Sequence, residues 1–159
     1  YPSDTLHADA PLKYYEEPLR SQLYAKVQRL GSDLDGKIDL DVPGRLAGNW
    51  YVENGTNAVA FAYNTYDPTQ VRISIGGILA TNGVYSIGAA EPRPLDVSVA
   101  TGIVRYTLTH ARTGLPLHFD TPSGSMLVQM LTDTRMRAEV FAANSRANAF
   151  TSNARTFIR

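Results

Sequence analysis

The chain has 159 residues, of which 43% are hydrophobic and 19% charged, and its 15 basic and 15 acidic residues cancel at neutral pH. This composition is typical of a globular domain and excludes an intrinsically disordered segment. Formal neutrality argues against nucleic acid and anionic membrane surfaces as partners, and no apolar run reaches the roughly 20 residues of a membrane span. The absence of Cys excludes disulfides, thiolate metal sites and a Cys nucleophile.

A chain of this length is expected to form one domain. We predict an N-terminal arm and helix in residues 1–45 that pack on a β-barrel in residues 46–159. The chain begins at Tyr1 without Met. That start favours a processed, secreted or periplasmic protein, although a cloning choice would produce the same start.

The N-terminal residues predict one helix. Residues 1–14 contain two prolines and scattered polar residues and are expected to be extended. From Glu16 to Leu30 the spacing of apolar residues becomes helical, and Gly31 is a natural end for such a helix. The apolar stripe of this predicted helix consists of Leu19, Leu23, Val27 and Leu30.

An acid-rich stretch, Ser32–Asp41, resembles part of a calcium-binding loop but does not match the residue pattern of such a loop. With Gly36 at the sixth loop position, Gly31 would be first and Val42 twelfth, where such a loop needs Asp and Glu. The stretch therefore predicts a turn followed by a short strand, Ile38–Leu40.

The rest of the chain has the alternating pattern of β-strands, separated by turn signals such as Asn54-Gly55 and Asn82-Gly83. Two longer connections, Ala111–Gly124 and Ala142–Ser152, are expected to be loops. About eight strands are predicted, and nine segments are the candidates for them: Leu46–Glu53, Ala58–Tyr63, Gln70–Ile75, Val84–Ile87, Leu95–Val99, Ile103–His110, Ser125–Leu131, Arg135–Phe141 and Asn153–Arg159.

The fold class predicted from these segments is mainly β, an antiparallel up-and-down barrel of about eight strands with one N-terminal helix. Closing the sheet into a barrel removes exposed strand edges. Eight strands enclose space for packed side chains or for one small ligand.

The segment Gly48-Asn49-Trp50 holds the only Trp of the chain. A Gly close to this large side chain allows another part of the chain to approach, and the indole can then close the space. These residues resemble the Gly-x-Trp signature that opens the first strand of lipocalins and related calycin barrels. In that family an Arg late in the chain lies across the Trp, and the resemblance implies this role for Arg155 or Arg159. Strand alternation puts both on the same face, so the sequence leaves the choice open.

The resemblance also implies a non-enzymatic protein that binds a small, largely apolar molecule inside the barrel, without a cofactor. The same inward-facing residues have a simpler interpretation as a filled core, in which case the barrel would be a structural or protein-interaction module. The candidate lining residues are Phe61, Tyr63, Ile73, Tyr106, Leu108, Val128 and Met130.

A third hypothesis is an enzyme built on His110, His118 and Asp120, which could converge as a metal site or a hydrolase site. No compact His motif supports a metal, and Ser123 does not lie in a Gly-x-Ser-x-Gly turn. We therefore expect no structural metal. A cavity inside the barrel would favour the ligand-binding hypothesis, whereas a filled interior with an exposed apolar patch would favour the interaction module.

Overall fold

The computed structural model describes residues 9–35, 40–53, 58–77, 82–88, 91–110 and 122–159. The chain divides into two compact units, one made of Tyr1–Leu40 with Tyr63–Gln70, the other of Asp41–Ala62 with Val71–Arg159. The predicted packing of the N-terminal residues on the barrel stays a prediction.

The described part of the first unit contains little regular structure. A 3-10 helix spans Pro11–Tyr14 and an α-helix, α1, spans Leu19–Tyr24. None of the described residues in this unit is buried, so among them the unit has no core of its own. Its exposed carboxylates bond locally. Hydrogen bonds from Lys13 and then Tyr14 lower the pKa of Asp9 to about 2.

The predicted helix over Glu16–Leu30 is wrong in its extent. α1 has six residues and no side-chain cap, and a helix this short is marginal without packing. After α1 the N–H of Val27 bonds the Tyr24 carbonyl, three residues back, at 3.0 Å. The N–H of Leu30 then bonds the Tyr66 carbonyl at 2.7 Å. That donor is used outside a helix, so the helical pattern cannot continue to Leu30.

The second unit is a closed antiparallel barrel in which the strands pair in sequence order and β8 pairs with β1. The prediction of a mainly β, eight-stranded antiparallel barrel is confirmed. The strands are β1 (Gly48–Val52), β2 (Ala58–Tyr63), β3 (Val71–Ile75), β4 (Gly83–Ser86), β5 (Val104–His110), β6 (Gly124–Thr132), β7 (Arg135–Ala142) and β8 (Arg155–Ile158).

The strand register fixes which side chains face the interior. Trp50 lies opposite Val59 in the β1–β2 pair, and Tyr106 lies opposite Met126 in the β5–β6 pair. Alternate residues along each strand share a face, so one set from every strand meets inside. The interior is one apolar cluster whose largest members are Trp50, Tyr106, Phe61, Phe157, Leu46, Ile73, Ile75, Leu108, Met126, Met130 and Met136.

The predicted strand Leu95–Val99 is wrong. The chain turns there and forms a second 3-10 helix at Val99–Thr101, which begins with a complete capping box. The Val97 carbonyl accepts a hydrogen bond of 3.0 Å from Leu46, just before β1. A nearby proline, Pro94, has no N–H to donate to a ladder. The segment therefore packs beside the start of β1 and leaves Val97 in the core.

Two predicted boundaries also move. Gly83, expected in a turn, is the first residue of β4, and Gly124, expected in a loop, is the first residue of β6. The turn at Asn54-Gly55, most of the strand Ile38–Leu40 and most of the loop Ala111–Gly124 lie outside the described residues. Within the described residues, no helix is long and apolar enough to cross a membrane.

Candidate functional site

The side chains predicted to line a ligand cavity are enclosed in the barrel, with one exception. Tyr63, the last residue of β2, is only half-buried. A cavity large enough for a ligand would leave part of the surface of the surrounding side chains uncovered by other atoms. Instead they are 0–1% exposed and belong to one packed cluster: Phe61, Ile73, Tyr106, Leu108, Val128 and Met130.

The interior offers little chemistry beyond apolar packing. The Tyr106 hydroxyl donates to the Pro92 carbonyl at 2.9 Å, so this phenol is already bonded. Its ring lies 6.2 Å from the Phe61 ring at a tilt of 45°, a common arrangement for aromatic pairs. These contacts stabilise a core.

One end of the barrel is closed by Trp50 and Arg159. The indole is fully buried, and its N–H donates to the Leu46 carbonyl at 2.9 Å. The Arg159 guanidinium lies 3.9 Å from the ring centroid, within cation–π range. Arg155, the alternative candidate, is exposed and lies opposite Ala138 on β7.

Arg159 also holds the chain segment that leads into β1. Its two terminal nitrogens donate to the carbonyls of Val42 at 3.0 Å, Arg45 at 2.7 Å and Ala47 at 3.2 Å. A guanidinium provides several donors in one plane, which suits a cluster of carbonyls. The side chain therefore joins the residue that follows β8 to the segment before β1.

Gly48 lies where the segment around Asp41 passes close to the first residue of β1. Its φ is +129°, and a Cβ at this position would meet the Cα of Asp41 at 2.8 Å. The Asp41 carboxylate accepts a hydrogen bond of 2.6 Å from the N–H of Asn49. The segment that approaches this Gly is thus the stretch around Asp41, and only a residue without a side chain fits beneath it.

Sequence reasoning gave Glu91 no role in the barrel wall. Among the described residues, β4 pairs with β5 only through Tyr85–His110 and Ser86–Thr109, so within those ranges the earlier part of β5 has no strand partner on that side. The Glu91 carboxylate accepts from the N–H of Thr107 at 2.7 Å and from the N–H of Gly88 at 3.0 Å. It satisfies donors that a longer β4 ladder would otherwise satisfy.

Replacing Glu91 with Ala is expected to lower the free energy of unfolding by about 1–3 kcal/mol, because the partly buried Thr107 N–H loses its acceptor. Glu91→Gln keeps one acceptor oxygen and should cost less. Denaturant unfolding measures both. Glu53→Ala is the control, because Glu53 is exposed and its carboxylate forms a long ion pair, 3.9 Å, with the Arg135 guanidinium. Equal effects of Glu91→Ala and Glu53→Ala would contradict this role.

Tyr85 on β4 and His110 at the end of β5 form a cross-strand pair. Their rings lie 4.7 Å apart at a tilt of 32°. Tyr85 is 3% exposed, and burial raises the pKa of its hydroxyl above the ordinary value of 10.0. His110 is exposed. The pair combines a neutral phenol inside with an imidazole at the rim.

The hypothetical enzyme site stays a prediction. His118 and Asp120 lie outside the described residues, so the structure does not show whether they approach His110. In the ranges that are described, no three His, Asp or Glu side chains are grouped so that they would hold a metal ion.

Residues 143–154, which connect β7 to β8, lie across the outer face of the barrel, a contact that sequence reasoning missed. Arg105 donates to the carbonyl of Ser145 at 2.6 Å. Glu139, only 4% exposed, accepts from the N–H of Thr151 at 2.8 Å and from its hydroxyl at 2.5 Å. The charged residues at alternate strand positions were visible in the sequence and indicated contacts on the outer face. Their partners lie in an irregular connection, which sequence patterns do not predict.

Comparison of the chain with protein-family models, with curated proteins and with solved structures gives no match in any of the three. The closed eight-stranded antiparallel barrel is compatible with a calycin-like fold.

Proposed function

We propose that this chain is a calycin-like barrel that acts as a protein-interaction module, with its interior used as a packed core. The observation that carries the proposal is the enclosure of the side chains expected to line a cavity, of which Phe61, Tyr106 and Val128 are 0% exposed. A partner reaches only the outer surface and the connecting segments of a filled barrel. Binding is therefore expected there.

Calycin kinship is supported by the closed end. Gly48 and Trp50 open the first strand, and the Arg159 guanidinium lies across the indole. The resemblance implied the same relation between a late Arg and the Trp.

The packed interior is tested by adding volume to it. Ala138 is fully buried on β7 and belongs to the core cluster. Overpacking a filled core typically costs 1–3 kcal/mol, so Ala138→Leu should lower the free energy of unfolding by roughly that amount. In a hollow barrel the larger side chain would fill space and leave the stability unchanged or higher. Denaturant unfolding distinguishes these results.

The matched control is Ala142→Leu, at the exposed end of the same strand. A surface substitution of this kind is expected to change the free energy of unfolding by no more than about 0.5 kcal/mol. The packed interior would be rejected if Ala138→Leu raised the free energy of unfolding while Ala142→Leu left it unchanged.

The second candidate function is binding of a small, largely apolar ligand inside the barrel. The observation in its favour is the Tyr85–His110 pair, which puts a buried phenol beside an exposed imidazole. Such a ligand would have to enter by separating side chains that are now in contact. An apolar fluorescent dye, anilinonaphthalene sulfonate, tests this. Saturable binding to the native protein that Ala138→Leu abolishes would favour the ligand-binding function.

A further inference from the structure

Three exposed apolar side chains belong to neighbouring segments of the barrel: the 3-10 helix at Val99–Thr101, the residue before β5, and the end of β6. Val99 is 42% exposed, Ile103 44% and Leu131 40%. Val99 belongs to the 3-10 helix that packs beside β6. Val104 pairs with Val128, so Ile103 lies beside the next residue of β6, Gln129, and Leu131 follows two positions later. These three residues are called the apolar triad below.

Leu131 directly follows the buried Met130, so strand alternation turns its side chain outward. Met130 pairs with Met136 and Thr132 pairs with Arg135, so Leu131 is an extra residue in β6. Leu131 therefore has no residue directly opposite it on β7.

The other two members of the apolar triad are held by local structure. The 3-10 helix that carries Val99 begins with hydrogen bonds between Ser98 and Thr101 in both directions. Gly102, with a φ of +76°, then leads the chain to Ile103 and into β5. A surface fixed in this way loses little conformational freedom when it binds a partner.

A guanidinium without a carboxylate partner lies beside the apolar triad. Arg137 donates from Nε and Nη2 to the side-chain oxygen of Gln129 at 3.2 and 2.9 Å, and its Cζ lies 4.2 Å from the Phe150 ring centroid. These partners are neutral, and no carboxylate in the described part of the chain lies within ion-pair distance of Arg137. Arg135, on the same face, is 3.9 Å from the exposed Glu53.

We propose that the apolar triad and Arg137 form a docking surface for a segment of another protein that carries both apolar side chains and carboxylates. The apolar side chains of that segment lose contact with water on the triad. A carboxylate takes N–H groups of Arg137 that Gln129 does not use, in a charge-assisted hydrogen bond. The inference rests on the proposed function as an interaction module and names the chemistry of its partner.

A labelled peptide tests the docking surface directly. The probe is a fluorescein-labelled decapeptide of alternating Leu and Glu, and fluorescence anisotropy of the whole protein measures its binding. Two control peptides carry Lys in place of Glu or Ser in place of Leu. We expect the Leu-Glu peptide to bind at least about tenfold more tightly than either control, a difference of about 1.4 kcal/mol. Added salt should weaken the binding, because screening reduces the charge attraction.

Variants identify the surface. Leu131→Ser and Arg137→Gln should each weaken binding of the Leu-Glu peptide several-fold. Val84→Ser removes another exposed apolar side chain of the barrel, 45% exposed, and Arg146→Gln removes another exposed cation. Both control variants should bind as the native protein does. Denaturant unfolding of each variant verifies that it is folded.

The proposal is overturned if the Leu-Glu peptide does not bind, if the Lys peptide binds equally well, or if Leu131→Ser and Arg137→Gln bind like the native protein. Its failure is separate from that of the packed interior. Stabilisation by Ala138→Leu would reject the filled core and leave a docking surface with the expected peptide and variant pattern intact.

Discussion

Replacing Trp50 with Ala is expected to lower the free energy of unfolding by about 3–5 kcal/mol, because truncating a buried Trp removes apolar contacts and leaves a cavity. The indole is fully buried and also donates to the Leu46 carbonyl. This loss is a large fraction of the 5–15 kcal/mol that stabilises a typical domain. Denaturant unfolding measures it, and Trp50→Phe gives a milder variant if the Ala variant does not fold.

Arg155 and Arg159 provide the matched comparison, because only Arg159 contacts the indole. Arg159→Ala removes the contact with the indole and the hydrogen bonds to the carbonyls before β1. Arg155→Ala removes an exposed side chain and should change stability by no more than about 0.5 kcal/mol. In double-mutant cycles with Trp50→Phe or Trp50→Ala, Arg159 should show non-additivity and Arg155 should not. Coupling of Arg155, or of neither residue, would contradict the structure of this closed end.

Gly48→Ala is the second substitution with a large expected effect. The φ of +129° is unfavourable for any residue with a side chain, and the new Cβ would meet the Cα of Asp41 at 2.8 Å. Backbone strain and overpacking each cost about 1–3 kcal/mol, so the free energy of unfolding should fall by roughly 2–6 kcal/mol. The clash is with backbone, so a side-chain rotation does not relieve it.

Gly102→Ala separates the strain at Gly48 from the clash. Gly102 also has a positive φ, +76°, but a Cβ there would have no neighbour within 4 Å. Its substitution should therefore cost about 1–3 kcal/mol, the strain alone. If Gly48→Ala and Gly102→Ala cost the same, the close approach of Asp41 contributes nothing to the need for Gly.

Strand positions were predictable because alternation is a local signal. The predicted segment Ala58–Tyr63 coincides with β2, and the predicted segment Arg135–Phe141 lies within β7. Each depends on residues close together in sequence, where a two-residue period and turn residues decide the backbone. The inward face of each strand follows from the same period.

The N-terminal helix and the Leu95–Val99 strand were not predictable in this way. Their apolar spacing is compatible with regular structure. However, backbone groups in both segments form hydrogen bonds with residues far away in the sequence, and not the bonds of a helix or of a regular strand. Leu30 donates to Tyr66, and Val97 accepts from Leu46. A sequence pattern does not contain these partners.

The candidate site was partly accessible from the sequence. The Gly-x-Trp segment and two late arginines were visible, whereas Glu91 in the barrel wall and the bulge at Leu131 were not. A carboxylate that completes a sheet has no characteristic spacing, and a bulge adds one residue without changing the composition of its strand. The surroundings of Arg137 depend likewise on Phe150, which lies in an irregular connection.

The sequence by itself determined a neutral, mainly β chain whose strands pair in order and turn alternate apolar side chains inward, because short-range periodicity controls those features. Only the tertiary structure decided which Arg meets Trp50. Both Arg155 and Arg159 satisfy the alternation, but only Arg159 lies beyond β8 where the segment before β1 crosses. Its bond to Val42 joins residues 117 positions apart, and a contact of that kind depends on where the closed barrel brings its two ends together.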